Sequence, residues 1–298
     1  MVAIDDEHNG WRRLVLPLAH DDELIRDAVL SASAYHYSTS VSPQSIMPTN
    51  IYYQAIGKLR RRQDLEQYDI AGKQAVVLSL LVFLATVLVS GSSDFRIILK
   101  LLEAAVQAVG GEERLNVGEL GIFLVRQIRK FRNYASPLLS QAQGLAVLSQ
   151  TSALLRPSKS RGWDDFTALY NKYPEHQKSM SIVYDLNEQV CNIYVQRARS
   201  GPNGPPLTDE VNQFRSTLDT FPSGPLSENV LTWPIFIAAL ESTTPEQQQY
   251  FTQRLLAHHS RSGFANILTG VEQLKWVWNN DNRTNWTQLL PDFEAFIV

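Results

Sequence analysis

Charge is scarce in this 298-residue chain. Charged residues make up 19% of it, and the two signs nearly cancel to a net charge of −3; a typical soluble protein carries about 25%. The balance excludes a strongly basic nucleic-acid-binding domain, although not a small basic patch. The deficit itself points to a large dry interior, an apolar pocket or a subunit interface. Cysteine is scarcer still. The chain has one, Cys191, which excludes an internal disulfide framework and any multi-cysteine zinc site. Lying beside Val190 on an apolar face, it reads as a buried structural thiol. The start, MVAIDDEHNGWRR, is acidic and lacks the apolar stretch of a secretory signal. The sequons at Asn282 and Asn285 therefore read as chance matches.

Long apolar runs are also few. The longest, AVVLSLLVFLATVLV from Ala75 to Val89, would span about 22 Å as a helix, short of the roughly 30 Å core of a bilayer. It reads as a buried helix with other helices around it, because apolar residues cover all its sides. No stretch alternates apolar and polar residues long enough to argue for a sheet. No HExxH, GxSxG, P-loop or GxGxxG motif occurs. The six histidines are scattered, and His258 and His259, being adjacent, point about 100° apart on a helix. Asp21-Asp22-Glu23 suits a helix cap better than a metal cluster, which needs carboxylates one turn apart and a second acidic helix. No metal, cofactor or catalytic residue is expected.

Helical period fills the rest. Leu24, Ile25, Ala28, Val29, Ala32, Tyr35 and His36 share a face, with Asp21 or Asp22 as cap. A more polar helix is expected over Ile51–Gln67, carrying the basic cluster Lys58, Arg60, Arg61 and Arg62. That cluster reads as a solvated face, with Glu66 one turn from Arg62; a nuclear-import signal or a phosphate contact is the other reading. Phe95, Ile98, Leu99, Leu102, Val106 and Val109 form a stripe capped by Ser93 or Asp94 and stopped by Gly110-Gly111. Leu120, Phe123, Leu124, Ile128 and Phe131 mark a helix ending before Pro137. Weak periodicity over 144–162 reads as a long connection, and Gly and Pro make 200–206 a loop. A helix capped by Thr208 or Asp209 follows. Thr244-Pro245-Glu246-Gln247 is a capping box with Pro at the first helical position, and that helix stops at Gly263. A length prior of about 150 residues per domain allows one large unit or two small ones. The expectation is an all-α, single large irregular helical domain, 1–298, of about ten to twelve helices, its halves 1–143 and 163–298 joined by the connection.

Three segments resemble the fungal-specific transcription-factor domain, the regulatory region that usually follows a zinc binuclear-cluster DNA-binding module, and in particular the branch with sterol-responsive regulators. The first is Trp11 to Tyr37, through Trp11, Pro17, Leu18, Leu24, Ala28, Ser33, Ala34 and His36. The second is Ala55, Leu59 and Arg60. The third and most specific runs from LTWPIFIAALES, where Trp233 to Ala239 match a W-P-L-F-I-A-G pattern, through RSGFANI and LKWVW to NWTQLL. The resemblance covers about residues 8–297. The six cysteines of the usual DNA-binding module are missing from this chain. What the resemblance implies is a nuclear, non-enzymatic regulatory domain that forms homodimers and binds no DNA by itself, with a hydrophobic small molecule such as a sterol as effector; the cytoplasm is the other location. No membrane span is expected. A pocket for such a ligand must be lined by side chains already withheld from water, which singles out Phe83, Leu84, Trp233, Phe236 and Ile237. The same residues would equally fill a solid core. Two alternatives stay open: an enzyme acting on an apolar metabolite in a helical pocket, and a ligand-free dimeric interaction scaffold.

Overall fold

Helix termini show how closely the local signals are obeyed. The computed structural model describes residues 9–40, 48–62, 64–154, 170–201, 203–222, 228–279, 286–294 and 296–297. Among these residues there are fourteen α-helical segments and no strand. The count is slightly above the expected range, because pieces of a turn or so are too short to show a period. A π-helical turn, Trp11–Val15, leads into α1 (Leu16–Asp21). Asp22 then caps α2 (Glu23–Ser40): its Oδ1 accepts from the N–H of Leu24 at 2.8 Å and of Ile25 at 3.1 Å. The polar helix is shorter than expected. It runs as α3 (Pro48–Arg60), with a separate 3₁₀ turn at Leu65–Gln67. Arg62 pairs with Asp22 rather than Glu66, and Lys58 bridges Glu23 and Asp27. The acidic start of α2 thus neutralises half of the basic cluster.

The long apolar run becomes α4 (Ile70–Ser90), capped by the Asp69 side chain. Every residue from Gln74 to Val89 is buried except Ala85, which is partly so. It lies at the centre of the packing, against α2, α5 (Phe95–Val109), α7 (Gly118–Leu139) and α13 (Asn266–Asn279). Its length and composition would suit a membrane span, but its neighbours supply the apolar surroundings. Gly91 ends it with φ 70°. A Cβ there would fall 3.0 Å from the Ala265 carbonyl carbon, so glycine serves both the left-handed turn and the close approach of α13. Asp94 stands at the start of α5 without capping it through its side chain.

Two expectations fail in the middle of the chain. After the single turn α6 (Glu112–Leu115), α7 does not stop before Pro137 but carries it inside its last turn. Proline cannot donate to the carbonyl four residues back. Here that carbonyl belongs to Asn133, and the Ser136 hydroxyl donates to it at 2.9 Å instead. The stretch read as a connection is largely helical: α8 (Gln141–Leu154) packs on α7 and on α9 (Gln177–Ser200). Its period is weak because the packed stripe mixes Leu145 and Leu148 with Gly144 and Ser149, while Ala142 and Ala146 face outward. The remainder of that connection, 155–162, lies outside the described residues, as do the asparagines of both sequons.

The C-terminal third follows the signals closely. Residues 203–207 are non-helical, and α10 (Thr208–Asp219) starts from Leu207, not from a Thr208 or Asp209 cap. Next come α11 (Thr232–Leu240), buried throughout, and α12 (Pro245–Ser262), with its Thr244–Gln247 capping box formed and Gly263 at φ 68°. Then come α13 and the single turn α14 (Trp286–Leu289). One hydrophobic core runs from Val15 to Ile297.

Candidate functional site

The five residues expected to wall a pocket are all withdrawn from water: Phe83 and Leu84 at 0% exposure, Ile237 at 1%, Phe236 at 2% and Trp233 at 3%. The period of α4 and α11 buries them, since neither helix has a polar face. Their neighbours differ. The Phe83 ring meets Tyr52 of α3 edge-on at 5.7 Å. Trp233 tilts against Tyr134 of α7 at 5.4 Å, and Phe236 meets Phe293 at 6.4 Å. Helix α13 packs against both α4 and α11 and links the two groups.

Beside this apolar region stands a charged centre. Arg197 and Glu241 are 1% and 3% exposed. The Arg197 guanidinium holds the Glu241 carboxylate through Nε at 2.8 Å and through Nη2. Its remaining donors reach the carbonyls of Gly204 at 3.2 Å and Pro205 at 2.9 Å. Glu241 also accepts from the Leu207 N–H at 3.0 Å and the Trp286 indole at 2.7 Å. Every polar contact turns inward onto the protein. This is the geometry of a clasp, tying α9, the 203–207 loop, the end of α11 and α14 together. The signal was present in the sequence: Val190, Ile193 and Arg197 fall at i, i+3 and i+7, so an arginine occupies a core position.

A polar cleft of about 470 Å³ opens between α9 and α10, lined by Asp185, Glu188, Gln189, Asn192, Gln196, Glu210 and Gln213. Its lining carries three carboxylates and no cation. Nothing in the sequence marks it, because polar residues at helical spacing are the ordinary sign of a solvated face.

Burial shifts Cys191, Tyr134 and Lys130 toward their neutral forms. Burial, with Glu188 nearby, pushes the Cys191 thiol up to about 12, which removes the thiolate that nucleophilic or metal chemistry needs. Burial likewise raises Tyr134 to about 12 and lowers Lys130. His258 is buried, its Nδ1 3.4 Å from the Thr232 hydroxyl, and the His259 ring nitrogen lies 3.0 Å from the Phe264 carbonyl. The two histidines thus face different partners.

The clasp and the apolar region beside it sit inside an all-helical domain. The chain belongs to the fungal specific transcription factor domain family, whose profile matches residues 1–161 and again 124–294. No curated protein and no solved structure matches it. The family places the chain in a fungal transcription regulator with a regulatory role.

Proposed function

We propose that this chain is the effector-responsive regulatory domain of its transcription regulator, and that its effector is an apolar small molecule such as a sterol. The family match over nearly the whole chain carries the reading. Phe83, Leu84, Trp233, Phe236 and Ile237 support it, as apolar surface already withheld from water. The domain works in the nucleus as a homodimer and leaves DNA contact to a separate module. The test is native mass spectrometry of the purified chain. A co-purified lipid or sterol mass on a dimer is the expected result, and a chain free of such a mass overturns the effector reading.

A second reading, a ligand-free dimeric scaffold, draws on the close filling of the interior. A Cβ at Gly270 would lie 2.8 Å from the Ile297 side chain and 3.4 Å from the Phe236 ring. A bare dimer in the same spectrum selects it.

A further inference from the structure

Helices α9 and α10 run antiparallel on either side of the polar cleft. Gln189 fixes their register: its Nε2 donates to the Thr217 hydroxyl oxygen at 3.0 Å. Counting in opposite directions from that pair, Gln196 of α9 stands level with Glu210 of α10. The cleft, about 470 Å³ in volume, is therefore charged at its two ends. Asp185 and Glu188, neighbours one turn apart on α9, mark one end, and Glu210 beside Gln196 marks the other. Amides lie between, Gln189 and Asn192 from α9 and Gln213 from α10. From Glu188 to the level of Gln196 the helix rises about 12 Å.

Acceptors outnumber donors in this lining. No cation stands among the described residues that form it. Gln189 Oε1 is buried and has no hydrogen-bond partner among the described residues. Its orientation is fixed. The Thr217 hydroxyl gives its proton to the Gln213 carbonyl at 3.0 Å, so its oxygen can only accept from Gln189. Nε2 must face Thr217, and Oε1 is left as an unfilled acceptor in the cleft wall. Glu210, in the first turn of α10, suits the helix dipole. That role accounts neither for Asp185 and Glu188, midway along α9, nor for the orphaned amide oxygen. A metal ion does not answer the arrangement, because among the described residues no three such ligands gather closely enough to hold one. Charge spread over two ends calls for an extended cation.

We propose that the cleft between α9 and α10 is a binding site for a linear aliphatic polyamine. Asp185, Glu188 and Gln189 fall at i, i+3 and i+4, on one face of α9. They offer three acceptors to one terminal ammonium, which carries three N–H donors. The other terminal ammonium pairs with Glu210. The terminal nitrogens of an extended triamine such as spermidine stand about as far apart as these two ends, and the cleft volume lies in the range of small-molecule pockets. A polyamine held this way bridges α9 and α10. Because the cleft exists only in the folded chain, binding stabilises that pair of helices. The site is separate from the apolar effector reading and does not rest on it.

Spermidine serves as probe in isothermal titration calorimetry of the wild-type chain and of Glu188→Gln, Glu210→Gln and Glu66→Gln, the last an exposed acid outside the cleft. Saturable binding to the wild type is expected. Each cleft substitution removes a charge-assisted hydrogen bond and is expected to weaken binding about tenfold, whereas Glu66→Gln leaves it unchanged. n-Butylamine, whose single ammonium reaches one end only, is expected to bind about a hundredfold more weakly than spermidine. Equal weakening by all three substitutions, or n-butylamine binding as well as spermidine, marks a diffuse counter-ion atmosphere and overturns the inference. Absence of saturable binding overturns it too. A hexalysine peptide that binds through Glu188 and Glu210 where spermidine does not bind overturns the polyamine and makes the cleft a peptide site. Circular-dichroism melts establish that each variant is folded; should one not be, the other cleft variant and the n-butylamine comparison decide.

Discussion

Arg197 occupies a place where the period of α9 calls for an apolar side chain, and its guanidinium is satisfied by Glu241, Gly204 and Pro205. A buried ion pair adds little over well-packed apolar residues, yet losing one partner strands the other charge and costs about 3–5 kcal/mol. Arg197→Met is therefore expected to lower the unfolding free energy by that amount in urea titration. Trp286→Phe, which removes one hydrogen bond to the same carboxylate, is expected to cost roughly 1.5–3 kcal/mol. A loss below about 1 kcal/mol for Arg197→Met would show that Glu241 finds other partners or a proton. The residue scale is also where the sequence was least legible. Asp22 as a cap and Cys191 as a buried thiol follow from local chemistry. The Arg197–Glu241 clasp joins residues 44 positions apart, and no local pattern pairs them.

Helix α4 carries the element-scale argument. Its run of apolar residues announced burial on all sides, and Leu84 is 0% exposed. An unpaired carboxylate there has no water and no partner. Leu84→Asp is expected to abolish soluble expression, which a solubility assay of the expressed chain reads directly. A soluble, monodisperse and equally stable variant would move α4 out of the centre. The proline rule predicts a stop at Pro137, yet the helix continues two residues past it to Leu139, with the Ser136 hydroxyl taking up the freed Asn133 carbonyl. The weak periodicity of 144–162 reads as a connection, yet residues 144–154 belong to α8. Against α7 and α9, α8 packs through one narrow stripe in which Gly144 and Leu148 are buried.

At the scale of the whole molecule, α8 and the side chains of Phe293, Phe296 and Ile297 tie the N- and C-terminal parts of the domain into one core. The helix packs α7 on α9, and the three side chains meet α5, α7, α11 and α13. Among the described residues several of the cations are paired: Lys58 and Arg62 are engaged by the acidic start of α2, Arg132 by Glu103 and Glu112, and Arg254 by Asp219. Sequence-specific DNA binding needs phosphate-contacting cations and a reading element. A gel shift with the isolated chain at physiological salt is expected to show no specific complex. A nanomolar, sequence-specific shift would overturn the proposal that DNA contact lies outside this domain.

The amino-acid sequence by itself determined the helical class, the burial of α4 and α11, the capping box at Thr244 and the stop at Gly263. Each depends on side chains within a turn or two of one another, where periodicity and capping act. It also carried the family, through the Trp11, Ala55 and Trp233 segments. Tertiary structure alone decided what fills the interior. Phe296 stacks on Phe95, 201 positions away in the chain, and Ile297 lodges against Gly270. Both contacts depend on where a segment with no periodicity is threaded. Hydrophobic burial has no direction and specifies only that such residues leave water; which neighbours receive them is fixed by the shapes of helices that meet only in the folded chain.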